Sequence, residues 1–253
     1  VEDSAGFHGG AYLKKITVVI PAFNEQSRIQ PTLRDIAVFM RKYPDLIREV
    51  IVVDDASKDQ TSESVISMVD ELPVRLISHA KNGGKWWAIR TGMENAKTDA
   101  VLLLDADNSV NIWQLERLQS VVLQNILDSR VSVFSTRFWK NSKVEGKSLK
   151  RTVISHGYRL FVKFMYWYAT GRKDVNDMQC PWKLIFKSTL LDMMRVERWS
   201  GDIELACCIQ GKITNMPVHF IHMQGGTIKN STIFSMFFET IRVARRFRKM
   251  RNE

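Results

Sequence analysis

Two periods of apolar spacing alternate through the first hundred residues. KITVVIPAFNE (15–25) is a short apolar run that reaches Pro21, the pattern of a strand passing into a loop. SRIQPTLRDIAVFMRKY then sets Ile29, Leu33, Ile36, Phe39 and Met40 at helical spacing. REVIVVDDASKDQT predicts a second strand ending in acids, SESVISMVDEL a second helix and VRLISHA a third strand. GKWWAIRTGMENA predicts a third helix opened by Gly83 and Gly84, and Val101–Leu104 a fourth strand. Strand and helix repeated in this order predict an α/β domain, a mostly parallel sheet flanked by crossover helices. In such a sheet, ligands bind beyond the carboxyl ends of the strands.

Those ends are where the acids fall: Glu25 after the first strand, Asp54 and Asp55 after the second, Asp105 and Asp107 after the fourth. Side chains of an extended segment alternate, so Asp105 and Asp107 are expected to point the same way around Ala106. Two carboxylates held together repel unless a cation lies between them. Mg²⁺ commonly uses one or two carboxylates together with substrate phosphates. The plain alternative is an Asx turn with both acids solvated. Acids at three strand ends favour a metal–nucleotide site. A dinucleotide enzyme is disfavoured, because KNGGKW is not a G-x-G-x-x-G turn and none follows the first strand.

Composition changes the picture in two respects. The 253 residues, 45% hydrophobic and 25% charged, suit an ordinary globular protein with a substantial core. Cys180, Cys207 and Cys208 form neither a disulfide framework nor a metal spacing, so a reducing compartment is expected, with Cys207 and Cys208 packed in an apolar helix. The net charge of +10 asks for an anionic partner. Nucleic acid is set aside because no recognition motif accompanies the charge.

No apolar run is long enough to span a bilayer, but two stretches point to a membrane surface. YRLFVKFMYWYATG brings Leu160, Phe161, Phe164, Met165, Trp167 and Tyr168; STIFSMFFETIRVARRFRKMRNE (231–253) grades from Phe-rich to Arg-rich. Ile233, Phe237, Ile241, Ala244 and Phe247 form the expected apolar face of an interfacial helix on anionic headgroups; a core helix with a basic tail is the alternative. The expected organisation is a tail over 1–13, a catalytic domain over 14–229 and a basic amphipathic helix over 230–253. Peripheral attachment to the cytoplasmic face of a membrane follows.

VVIPAFNE, IVVDDASKDQT, the Lys85–Met93 stretch and LLLDADNS resemble, in order and spacing, the inverting family 2 glycosyltransferases of GT-A (Rossmann-like) fold. The resemblance implies that Pro21, Phe23 and Glu25 line a nucleotide-sugar pocket, with Asp54 and Asp55 at the base or ribose. Asp105, Ala106 and Asp107 would face the diphosphate and its Mg²⁺ or Mn²⁺, with Ser109 adding an oxygen. Lys85 is either a phosphate cation or a solvated lysine. Trp86 and Trp87 replace the small residues usual there, and either shape the sugar pocket or pack on the sheet.

The second half is similar to the polyprenyl-phosphate (dolichyl-phosphate) mannosyl and glucosyl members. That similarity gives Arg137, Arg151 and Ser155 to the lipid phosphate. DMQCPWKLIFK and GDIEL resemble segments of the glucosyl branch, adding Asp177 and Gln179; Lys229 supplies a further cation. UDP-glucose is the first donor implied and GDP-mannose the second. Asp107, Arg137 and Asp202 are the expected catalytic positions, although Asp202 and Glu204 also suit a helix start. A phosphate acceptor needs no general base, whereas a hydroxyl acceptor would require Asp202 or Glu204 to take its proton. A non-catalytic nucleotide- or lipid-binding protein on the same fold is the remaining alternative.

Overall fold

The computed structural model describes residues 15–146, 149–190, 195, 198–222 and 230–253. Lys229 and the side chain of Arg151 lie outside the described part, as does the expected tail. Strand β1 (Ile16–Ala22) leads through α1 (Ile29–Lys42) to β2 (Ile47–Asp54), and α2 (Thr61–Ile66) leads on to β3 (Val74–Ser78). Helix α3 (Lys85–Asn95) returns the chain to β4 (Ala100–Leu103), on the other side of β1. A 3₁₀ helix (Ile112–Leu118) and α4 (Ser120–Ser129) precede β5 (Ser132–Thr136), β6 (Lys143–Glu145) and the long α5 (Leu149–Thr170). The last elements are β7 (Lys183–Phe186), α6 (Gly201–Cys208), β8 (Ile213–Pro217), β9 (His219–Ile221) and α7 (Asn230–Asn252).

Seven strands form one sheet in the order β3-β2-β1-β4-β7-β5-β8, and β6 pairs with β9 beside it. The strands from β3 to β4 are parallel, and β7 runs antiparallel to both β4 and β5. Alternation along the strands divides the core. Val18, Ile20, Val50, Val52 and Leu102 pack under α1 and the 3₁₀ helix. Val19, Ile51, Val53, Val101 and Leu103 pack with α3, α5, α6 and α7. The order reverses between β1 and β4, so their carboxyl ends open a crevice at the switch point.

Helix α7 exists as expected, but its apolar stripe faces inward. Thr240, Val243, Ala244 and Phe247 are buried, and Phe237 meets Tyr158 and Phe161 of α5. The aromatic residues left exposed on α7 are Phe234 and Phe238; Leu160, Phe164, Trp167 and Tyr168 of α5 are exposed as well. The reason is geometric: the inward stripe covers α5 and α6, and only the opposite arc remains for solvent. Among the described residues, no helix is long and apolar enough to cross a membrane.

Candidate active site

A cavity of about 370 Å³ fills the crevice. The loop after β1 contributes Pro21, Ala22, Phe23 and Glu25, and the loop after β4 contributes Asp105, Ala106 and Asp107. Asp55, Asn82, Gly84, Lys85 and Ala88 form another wall, and Arg198 and Trp199 face them. Of the expected donor residues, only Asp54 is absent from the lining. It is buried inside its own turn, where it accepts hydrogen bonds from Ser57 N at 2.9 Å and Ser62 Oγ at 2.5 Å.

The loops that carry these residues are tied to one another. Asn24 N donates to Ser57 Oγ, Glu25 N to Thr61 Oγ1 and Lys58 N to Asn24 Oδ1, so much of ASKDQT fastens the first two strand ends together. Asn24, Ala56 and Asn108 each take a left-handed backbone conformation, φ 56°, 62° and 57°, one in each acid-bearing loop. For Ala56 that conformation is uncommon and signals a turn held in place by its surroundings.

Asp105 and Asp107 share the cavity, though not by strand alternation. Strand β4 stops at Leu103, and the chain turns at Ala106 and Asp107, with Ser109 N donating to Asp107 Oδ1 at 3.0 Å. Thr32 Oγ1 donates to the Ala106 carbonyl at 2.7 Å, and Asp35 receives Asn108 Nδ2 and Trp113 Nε1, so α1 buttresses the turn. Ser109 is buried and does not line the cavity.

Lys85 begins α3 and donates to Asp105 Oδ1 at 2.5 Å. Desolvation lowers its pKa, but Asp105, Asp202 and Asp107 together outweigh that and raise it above the ordinary lysine value. Burial raises the pKa of Glu25, Asp107 and Asp105 push it further, and Arg28, paired at 2.7 Å, opposes them without prevailing. The wall is thus rich in negative charge. Among the described residues no three acids, histidines or cysteines converge on one point. Two carboxylates facing an open cavity fit a hard cation that draws its other ligands from phosphate and water.

Asp55 is buried and heavily engaged. Its carboxylate accepts Gly83 N at 3.0 Å and Gly84 N at 2.7 Å, and meets His79 Nδ1 at 2.9 Å. His79 Nε2 reaches Thr91 Oγ1, and the His79 ring stacks on Trp87 with centroids 3.9 Å apart. Gly83 is required beneath that ring, because a Cβ there would come within 1.5 Å of Trp87. Trp86 is buried on the sheet side. Both tryptophans therefore build the Lys85 turn, and neither lines the cavity.

The half of the site where the acceptor residues are expected is organised around a buried ion pair. Asp177 is fully buried and grips Arg137 with both oxygens, at 2.8 Å to Nε and 2.9 Å to Nη2. It also accepts Arg137 N and Gln179 N. Desolvation raises the pKa of Asp177, but the Arg137 charge and hydrogen bonds overcome it and hold the carboxyl below 3.8. Asp177 thus acts through Arg137, whose guanidinium also lies near the Phe138 and Phe220 rings. Ser155 is half-buried on α5.

Asp202 sits between the halves, and its charge acts on both Lys85 and Arg137. It does not cap α6. It receives Lys183 Nζ at 2.7 Å, and the same ammonium donates to the Cys180 carbonyl at 2.6 Å. Lys183, buried and facing the Trp86 and Phe134 rings, is a partner of Asp202 that sequence reasoning misses. Its one signal is a lysine interrupting an otherwise apolar strand, CPWKLIF. Glu204 is fully buried and paired with Arg246 of α7, so it braces the two helices.

A mostly parallel sheet with a carboxylate-lined crevice at its switch point is the architecture of the GT-A fold. The family model for Glycosyl transferase family 2 matches residues 17–193, and the chain belongs to that family; it is a glycosyltransferase. It is 29% identical over 231 residues to a dolichyl-phosphate beta-glucosyltransferase of Homo sapiens, covering 85% of this chain and 70% of the relative. One from Trichomonas vaginalis is 27% identical over 245 residues, with 92% and 71% covered. The crystal structure of glucosyl-3-phosphoglycerate synthase from Mycobacterium tuberculosis in complex with Mn²⁺ and UDP-glucose shares the fold. Its TM-score is 0.66 at 16% identity, with 92% of this chain and 79% of that one covered.

Proposed function

We propose that this glycosyltransferase moves glucose from UDP-glucose to a polyprenyl phosphate of the dolichyl type, with inversion at the anomeric carbon. GDP-mannose is the second donor. The observation that carries the reading is the pairing of Asp105 and Asp107 with Lys85 in one cavity at the β1/β4 switch point. The relatives that support the acceptor are dolichyl-phosphate beta-glucosyltransferases.

In this reading, Pro21, Phe23, Glu25 and Asp55 bind the nucleotide, and Asp54 and Asp55 hold the loops that carry the site. Asp105 and Asp107 would hold Mg²⁺ or Mn²⁺, and the ion would supply positive charge for the leaving diphosphate. Lys85 adds a second positive charge at the start of α3. Arg137, oriented by Asp177, turns its remaining N–H groups to the acceptor phosphate, with Ser155 and Gln179 sharing this role; the Arg151 side chain and Lys229, outside the described part, are given the same role by the family resemblance alone. The phosphate is already anionic and attacks the sugar carbon without a general base. Asp202 keeps Lys183 in place between donor and acceptor. A hydroxyl acceptor is less well served, because Asp202 already receives Lys183, and Glu204 is buried against Arg246.

The exposed Leu160, Phe164, Trp167, Tyr168, Phe234 and Phe238, together with exposed Arg242, Arg245 and Lys249 on α7, support docking on the anionic cytoplasmic face of a membrane. The test is turnover with radiolabelled UDP-glucose and GDP-mannose against dolichyl phosphate in detergent. Metal-dependent label in the lipid phase is expected from UDP-glucose. Label appearing only on water-soluble saccharides would replace the acceptor.

A further inference from the structure

The cavity carries one cation that the donor reading leaves without a role. Four carboxylates line it (Glu25, Asp55, Asp105 and Asp107) against two basic side chains, Lys85 and Arg198. Lys85 is already held by Asp105. Arg198 has no ion pair or hydrogen bond among the described residues and stands exposed at the cavity wall, next to Trp199.

The backbone that carries Arg198 is clamped on both sides. The N–H groups of Trp199 and Ser200 both donate to Glu239 Oε2 of α7, at 3.2 and 3.1 Å. Ser200 Oγ donates to the Met236 carbonyl at 3.0 Å and meets Thr240 Oγ1 at 3.0 Å, both on α7. From the other side Gly201 lies against Trp86, where a Cβ would come within 2.2 Å of the indole. An unpaired guanidinium on a segment fixed in this way, facing a carboxylate-rich cavity, is placed for an anion. A guanidinium fork matches two phosphate oxygens at once, which a lysine does not.

We infer that Arg198 binds the diphosphate of the nucleotide sugar, and that Glu239 is the positioning residue that holds it over the cavity. The inference rests on the donor reading above and deepens it. It also gives α7 a second role, since the carboxylate that fixes the cavity wall is the neighbour of the exposed Phe238 on the same helix.

The experiment is calorimetric titration of UDP, with Mn²⁺ present, into the parent protein and R198A, R198K, E239A and E239Q, with GDP titrated into the parent as a second probe. R198A is expected to weaken UDP binding by about tenfold, one charge-assisted contact, with R198K intermediate. E239A is expected to weaken it severalfold and E239Q to restore it, because an amide oxygen still accepts both N–H groups. A purely structural role for Arg198 would lower the melting temperature and leave UDP affinity alone. UDP binding by R198A within twofold of the parent overturns the inference and leaves the donor reading standing. A parent that binds neither UDP nor GDP overturns both.

Discussion

The two halves of the site are held in place by different means. The donor half is a set of loops whose polar groups bond mainly to one another: Asn24 with Ser57 and Lys58, Asp55 with Gly83, Gly84 and His79. The carboxylates proposed to hold the metal, Asp105 and Asp107, line the cavity. The proposed acceptor half has Arg137 in a bidentate pair with the fully buried Asp177. Removing a donor carboxylate should therefore remove function and little else. Removing Arg137 should remove stability as well, because it strands a buried charge.

The largest effect is expected at Asp107. D107A should lower turnover by about a thousandfold, since a metal clamp contributes several kcal/mol to the transition state. The melting temperature should move by only about a degree or two, as a partly exposed loop acid adds little stability. Chelator should inactivate the parent, and Mn²⁺ or Mg²⁺ should restore it. Assays of kcat alongside thermal melts check both halves of the statement, and full activity of D107A in chelator contradicts it.

Arg137 is expected to behave in the opposite way. R137A should destabilise the fold by about 3–5 kcal/mol at neutral pH, measured by urea unfolding. The pH dependence sharpens the contrast. Arg137 depresses the folded-state pKa of Asp177, so the pair's contribution is complete above the ordinary value of 3.8 and is lost as pH falls through the depressed one. The gap between parent and R137A should accordingly shrink on acidification toward pH 3. A gap that is constant with pH would detach the stability from Asp177. R137K should keep the charge and most of the stability but lose the fork, raising the acceptor KM by about tenfold.

The smallest effects per residue lie on the outer face of α5 and α7. Reversing Arg242, Arg245 and Lys249 to Glu should weaken binding to acidic liposomes, each lost basic residue removing about 1 kcal/mol, and salt should mask the difference. Replacing Phe234 and Phe238 with Ser should weaken binding even at high salt. Activity on a short, water-soluble prenyl phosphate should survive better than activity on a membrane-embedded one. Liposome binding that is equal in parent and variants would return this face to ordinary solvent.

The donor half is the more legible in sequence, for a physical reason. Parallel strands buried on both faces read as apolar runs, and the first polar residues beyond them mark the ligand side of the sheet. Glu25, Asp55, Asp105 and Asp107 can be placed on that basis, whereas Pro21, Phe23 and Lys85 are legible only through the family resemblance. Asp54 cannot be separated from Asp55, because adjacent acids look alike until the turn at Ala56 directs one inward. The acceptor half depends on pairings across long separations: Arg137 with Asp177, Lys183 with Asp202, Glu204 with Arg246. Nothing local in the chain announces which acid meets which base. The inward turn of α7 is hidden for a related cause. Its Phe-rich half offers two apolar arcs, and only the tertiary partner decides which one is buried.

The separation of the two halves has one direct measurement. UDP, with Mn²⁺ present, is titrated into D107N and R137K, both of which retain the fold in this account. Binding should be lost in D107N and stay within about twofold of the parent in R137K, a difference of less than roughly 0.5 kcal/mol. Loss of UDP binding in R137K with retention in D107N would reverse the assignment of donor and acceptor sides.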